Sequence, residues 1–237
     1  MQTVAIILAG GLGKRLGADI PKQFIEVEGK PIIVSTIENF ERSTLANSIL
    51  IVCVADWIDY LQSLIAKYHL DKVRWIIEGG QTNHDSTSNA IFYLRNQLTD
   101  DDFIIVHDAA RPLLPQCILS DLMRVAVAHG NASASLPCHE TLVVTADQAS
   151  GTEQIDRSII RRVQTPQAYR FGDIYPIYVQ AAKEDRHDFV YINTAAISYG
   201  MRIYFSAGFD NNIKITTKED IALFQALSKF NEDELVK

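Results

Sequence analysis

Val4-Ala5-Ile6-Ile7-Leu8-Ala9-Gly10-Gly11 opens the chain with a short apolar run that two glycines stop. A run of that length, partly β-branched and ended by glycine, reads as a buried strand over 4–9 rather than as a helix. Runs of the same kind recur at 48–54 (Ser48-Ile49-Leu50-Ile51-Val52-Cys53-Val54), 73–77 and 103–106. They are continuous rather than alternating, as strands covered on both faces should be, so they predict a mainly parallel sheet. Between them, apolar residues at three- and four-residue spacing predict helices over 32–40, 57–68, 87–98 and 117–129, and a closing helix over 219–230. The order β-α-β-α-β is that of a doubly wound α/β unit flanked by helices. Residues 140–157 break it: a β-rich run, a polar turn at Ser150-Gly151 and a second arm read as a hairpin. That inserted β-arm, over 138–160, is either a surface excursion or a limb reaching a neighbouring subunit. One domain over 1–237 is expected.

Composition narrows the partners. The 237 residues are 47% apolar and carry a net charge of −7. A phosphate-backbone binder needs a basic face, so no nucleic-acid partner is expected, although a local basic pocket stays open. Cys53, Cys117 and Cys138 are odd in number and widely spaced, which suggests packing residues rather than disulfides or a metal knuckle. The first apolar run is too short to span a membrane and lacks the basic flank of a signal peptide. A cytoplasmic protein without a membrane partner is the expectation.

The chemistry begins directly after the first strand, with Leu8-Ala9-Gly10-Gly11-Leu12-Gly13-Lys14-Arg15-Leu16-Gly17 and then Pro21-Lys22-Gln23. Glycines at the carboxyl edge of a parallel sheet let the backbone approach a ligand, and exposed N–H groups there favour anionic oxygens. Lys14, Arg15 and Lys22 add positive charge to an otherwise acidic protein, as a polyphosphate requires. The dinucleotide fingerprint is not met, because Leu16 stands where glycine is needed. Nor is the P-loop, because Arg15 follows Gly13-Lys14 where serine or threonine is needed.

Further motifs follow in order: Glu78-Gly79-Gly80, His107-Asp108-Ala109-Ala110-Arg111-Pro112, Thr165-Pro166-Gln167 and Asn212-Ile213-Lys214-Ile215-Thr216. With them the chain resembles the cytidylyltransferase family that includes methylerythritol-phosphate cytidylyltransferase and the ribitol-5-phosphate cytidylyltransferases of cell-wall and capsule synthesis. The resemblance implies a Rossmann-like nucleotidyltransferase fold, CTP and a small polyol phosphate as substrates, Mg²⁺ as cofactor, and a homodimer whose inserted arm serves the partner's site. It assigns nucleotide binding to Leu8, Ala9, Gly10, Gly11, Gly13, Gly79, Gly80 and Ser86. Arg15, Lys22 and Lys214 would neutralise phosphoryl charge. Arg111, Thr165 and Arg162, with Arg161 as the alternative register, would meet the acceptor. Asp108, just past the strand at 103–106, is the expected metal ligand, since a hard cation needs one or two carboxylates plus phosphate oxygens. His107 is expected to pack locally.

Two departures bear on the substrate. Gln81-Thr82-Asn83-His84 lacks the arginine common in the family, and Val190-Tyr191-Ile192-Asn193 replaces its Thr-Asp-Asp/Glu-Ala segment. Both leave open an altered acceptor or a non-catalytic paralogue. A second metal acid is also open, Asp210 being followed by Asn211. Ala55-Asp56-Trp57 and Asp100-Asp101-Asp102 resemble the ribitol-phosphate enzymes, with methylerythritol phosphate as the alternative acceptor.

Overall fold

The computed structural model describes residues 1–11 and 20–230. In chain order, β1 (Thr3–Ala9) is followed by a small hairpin, β2 (Glu26–Val27) and β3 (Lys30–Pro31), and by α1 (Ile32–Glu41). Next come β4 (Ser48–Cys53), α2 (Ile58–Tyr68), β5 (Val73–Glu78), α3 (Asn83–Leu94), β6 (Phe103–Asp108) and α4 (Gln116–His129). The second half holds β7 (Asn131–Pro137), β8 (Leu142–Val144), β9 (Glu153–Ile155), β10 (Arg161–Arg170), α5 (Phe171–Lys183), α6 (Ile192–Ser198), β11 (Phe205–Ala207) and α7 (Lys218–Leu227).

Seven strands form one sheet in the order β11-β7-β10-β6-β1-β4-β5. β1 lies between β4 and β6 and pairs in parallel with both, and β4 pairs in parallel with β5. β10 alone runs antiparallel to its neighbours β6 and β7. The mainly parallel sheet flanked by helices is therefore as expected, with one reversed strand inserted.

Alternate residues of β1 feed two cores, which is why its sequence is apolar throughout. Ala5, Ile7 and Ala9 join Ile33, Ile37 and Phe40 of α1, Leu61 of α2, and Leu119 and Leu122 of α4. Val4 and Ile6 face the opposite way, onto Ile91 and Leu94 of α3 and Phe171, Ile174 and Tyr178 of α5.

Some boundaries differ from the expectation. α3 occupies Asn83–Leu94, four residues earlier than 87–98, because Thr82 and Asp85 form a reciprocal capping box that starts the helix in a polar turn. A 3-10 turn at Ala55–Trp57 precedes α2, which His69 ends in a left-handed conformation. α7 stops at Leu227 rather than reaching 230. The expected hairpin is present as the antiparallel pair β8–β9, with Val143 52% and Ile159 77% exposed. Among the described residues, no helix is long and apolar enough to cross a membrane.

Candidate active site

β1, β4, β5 and β6 are mutually parallel and end in register: Leu8 opposite Asp108, Ala9 opposite Cys53, and Cys53 opposite Glu78. Their carboxyl ends therefore open onto one edge. β1 is also where the strand order reverses, with β4 and β5 on one side and β6 on the other, and such a switch point leaves a crevice. A cleft of about 600 Å³ lies there. Leu8, Gly10, Gly11, Lys22, Gly79 and Gly80 all line it, together with Ser86, Asp108 and Lys214. Gly13 and Arg15 lie outside the described residues, as does Lys14. Ala9 does not line the cleft; its carbonyl accepts a bond from Gln23 Nε2 at 2.6 Å, which ties the Pro21-Lys22-Gln23 segment to the end of β1.

Gly10 and Gly79 are needed for the close approach of two loops. A Cβ on Gly79 would sit 3.4 Å from Gly10 Cα and 3.1 Å from Ser86 Oγ, and one on Gly10 would sit 3.0 Å from the same Oγ. Ser86 Oγ in turn accepts the Gly80 N–H at 3.1 Å, so α3 fixes the loop after β5. On this side of the cleft, Gln81, Thr82 and Asn83 also contribute to the lining.

The opposite side is cationic. Lys214 Nζ donates to Asp108 Oδ1 at 2.9 Å, and Arg111 Nε donates to Asp108 Oδ2 at 3.1 Å. Burial pushes the Asp108 carboxyl upward, but the Lys214 and Arg111 charges outweigh it and bring it down to about 2. Asp108 is thus an anion at working pH, held from behind by Thr165, whose Oγ1 accepts the Asp108 N–H at 3.1 Å.

Lys214 owes its position to alternation in the segment that carries it. Ile213 and Ile215 pack with Val27, Ile32, Ala110 and Phe224, while Lys214 and Thr216 face the cleft. The segment is tied down by the Ile215 N–H on the Ala110 carbonyl at 2.9 Å, Asn212 Nδ2 on the Thr165 carbonyl at 2.7 Å and Arg111 Nη1 on the Asn212 carbonyl at 2.6 Å. Lys22 Nζ donates to the Ile215 carbonyl at 2.8 Å, which brings the two lysines to one strip of backbone.

The three residues expected to meet the acceptor do not line the cleft. Thr165 is buried behind Asp108. Arg111 has Nε and Nη1 committed to Asp108 and Asn212. Arg162 is on the surface, its Nη2 paired with Asp210 at 2.8 Å. His107 packs locally as expected: it is fully buried, 5.3 Å from the Phe40 ring, with Nε2 3.0 Å from the Arg111 carbonyl. Among the described residues, no group of three or more His, Cys, Asp or Glu could enclose a metal. Asp108 is a single carboxylate, the donor number that Mg²⁺ uses when substrate phosphates supply the rest.

A family model described as IspD: 2-C-methyl-D-erythritol 4-phosphate cytidylyltransferase matches residues 3–229. The ribitol-5-phosphate cytidylyltransferase of Lacticaseibacillus paracasei is 39% identical over 230 residues, covering 96% of this chain and 98% of its own length. The 2-C-methyl-D-erythritol 4-phosphate cytidylyltransferase of Clostridium novyi is 34% identical over 228 residues, covering 95% and 96%. Among solved structures, the 2-C-methyl-D-erythritol 4-phosphate cytidylyltransferase of Francisella tularensis superposes with a TM-score of 0.78 at 27% identity, covering 95% of this chain and 100% of its own.

Proposed function

Because this chain belongs to the IspD family of cytidylyltransferases, we propose that it transfers the cytidylyl group of CTP to ribitol 5-phosphate and releases pyrophosphate. The observation that carries the acceptor is the 39% identity, over nearly the full length of both chains, to a ribitol-5-phosphate enzyme. The activity is that of a nucleotidyltransferase.

A phosphate oxygen of the acceptor attacks the α-phosphorus of CTP, the bond from that phosphorus to the bridging oxygen breaks, and pyrophosphate leaves. An acceptor phosphate already ionised needs no base, so positioning and electrostatics supply the catalysis. Lys22, bonded to the Ile215 carbonyl, and Lys214, the residue before it, face the phosphoryl oxygens, with Arg15 as a third cation. Gly10, Gly11, Gly79 and Gly80 admit the nucleotide close to backbone, and Ser86 holds the loop that meets the base. Thr165 keeps Asp108 in place, and Arg111 fixes both Asp108 and the segment that carries Lys214, while Arg162, outside its own cleft, would meet the acceptor in the partner subunit's site.

Asp108 fits one coordination position of Mg²⁺: it is ionised, it lines the cleft, and a carboxylate's four lone-pair sites exceed the bonds it already accepts. Bound there, Mg²⁺ would offset the charge of the triphosphate oxygens. We also place the reaction in the cytoplasm, a reading supported by three unpaired cysteines, and in a homodimer that uses the 138–160 arm, supported by its exposed Val143 and Ile159.

The test offers CTP and Mg²⁺ with ribitol 5-phosphate, methylerythritol 4-phosphate or glycerol 3-phosphate, and follows pyrophosphate. Release with ribitol 5-phosphate alone is the expected result. Release with methylerythritol 4-phosphate alone would replace the acceptor, a second reading that the 34% identity to the Clostridium novyi enzyme supports. Silence with all three would remove the catalytic reading.

A further inference from the structure

The segment between α5 and α6 has no role in the mechanism above, yet it contacts both α3, on one side of the cleft, and Lys214, on the other. At one end, His187 Nδ1 lies 2.9 Å from Asp85 Oδ1, in the first turn of α3. Phe189 packs edge-on against the His84 ring at 5.2 Å. At the other end, the Tyr191 ring lies under the Lys214 ammonium, 5.5 Å from Nζ to the ring centroid. Lys214 is therefore bracketed by an anion, Asp108, and by an aromatic face.

The bracket matters because a lysine is a point charge on a flexible four-carbon stem, and Asp108 alone fixes only one of its N–H bonds. A ring face carries negative quadrupolar charge and attracts a cation within about 6 Å. Tyr191 is itself well anchored. Its carbonyl accepts the Thr194 and Ala195 N–H groups at 3.1 and 3.2 Å, its N–H is taken by Thr194 Oγ1 at 3.1 Å, and the next residue, Ile192, is buried in the core. The backbone thus presents the ring at a set place.

We propose that Tyr191 is a positioning residue whose ring face holds the Lys214 ammonium toward the phosphates. The aromatic ring stands in a stretch where an acidic segment would offer Lys214 full countercharge. A carboxylate there would compete with phosphate for the ammonium, whereas a π face steadies it and leaves its charge available to the reacting oxygens.

The kinetic consequence rests on the cytidylyl-transfer function, whereas the contact can be read without turnover. In protein labelled with ¹³C-lysine, the Lys214 Hε resonance is identified by its absence in Lys214→Gln. It should lie upfield of the other lysines through the ring current, stay there in Tyr191→Phe, and join them in Tyr191→Leu. Tyr191→Leu should lower kcat about fivefold with little change in the KM for CTP, and Tyr191→Phe should restore it. A Lys214 resonance that Tyr191→Leu leaves in place would overturn the proposal. So would Tyr191→Phe being as impaired as Tyr191→Leu, since the hydroxyl and not the ring would then be at work. The expected shifts in a protein that turns over none of the acceptors would uphold the contact and remove the transferase reading instead.

Discussion

Lys214 reaches across 106 positions of sequence to set its ammonium 2.9 Å from Asp108 Oδ1. The contact joins the end of β6 to the extended segment after β11, and it gives the cleft one anion and one cation at adjoining points. Charge that develops on phosphoryl oxygens would meet a donor already in place, with little reorganisation left to do.

Replacing Lys214 with alanine should lower kcat/KM by roughly 100- to 1,000-fold, about 2.7–4 kcal/mol, by analogy with the loss of one donor at an oxyanion site. Arginine at 214 should recover part of it. Steady-state kinetics with CTP varied would check both, and an alanine variant within threefold of the parent would deny Lys214 its role.

Asp108→Asn keeps the shape and removes the charge, leaving Lys214 and Arg111 facing a neutral amide. Asp108 is only 7% exposed, so breaking its ion pairs should cost about 3 kcal/mol of stability in urea unfolding. The same variant should weaken the binding of Mn²⁺ to the CTP complex, followed by water-proton relaxation. Chelation of Mg²⁺ should abolish turnover in the parent. Undiminished Mn²⁺ binding in the variant would place the metal elsewhere.

Gly80 has no room for a side chain: its Cβ would fall 3.0 Å from the Asp85 carbonyl carbon and 3.2 Å from Asp85 Cα. Both are backbone atoms in the first turn of α3, so Gly80→Ala must move the helix start. It should cost about 1–3 kcal/mol of stability and weaken CTP binding measured by calorimetry. Binding at parental strength would mean that the loop after β5 does not meet the nucleotide.

The carboxylates of Asp85 and then Asp185 raise the pKa of His187 above its ordinary 6.5, and the neighbouring His84 ring is 6.2 Å away. A raised folded-state value means that the contact's contribution to stability is full below 6.5, the unfolded value, and is lost as pH rises through the folded one. An NMR titration of the His187 ring should show this raised midpoint, and Asp85→Asn should bring it down. An unchanged midpoint in the variant would show that the link from α3 to residues 187–191 does not form.

The first half of the fold was legible because β1, β4, β5 and β6 each carry apolar runs bounded by turns. In the second half only the β8–β9 hairpin and α7 could be read. β7 is Asn131-Ala132-Ser133-Ala134-Ser135-Leu136-Pro137, which is buried through Ser135 yet holds no β-branched residue to mark it as a strand. β10 contains Pro166, tolerated because the pairing with β7 shifts register between Val163 and Gln167. α5 carries Pro176 in its interior, which interrupts a helical pattern on paper. At the site, the glycine loops and Asp108 could be placed because each lies at the carboxyl end of a recognisable strand. The bonding of Arg111 to Asp108 and Asn212, and the reach of Tyr191 to Lys214, depend on tertiary folding that brings separate segments together, and no local spacing encodes them.

A Cβ added at Gly10 or at Gly79 would crowd Ser86 Oγ, at 3.0 and 3.1 Å, although the three residues belong to loops after two different strands and to a helix. A methyl group at either glycine lands on the same hydroxyl, so neither position can drift without the other two adjusting. A side chain introduced at either glycine would therefore have to arrive together with a change at position 86.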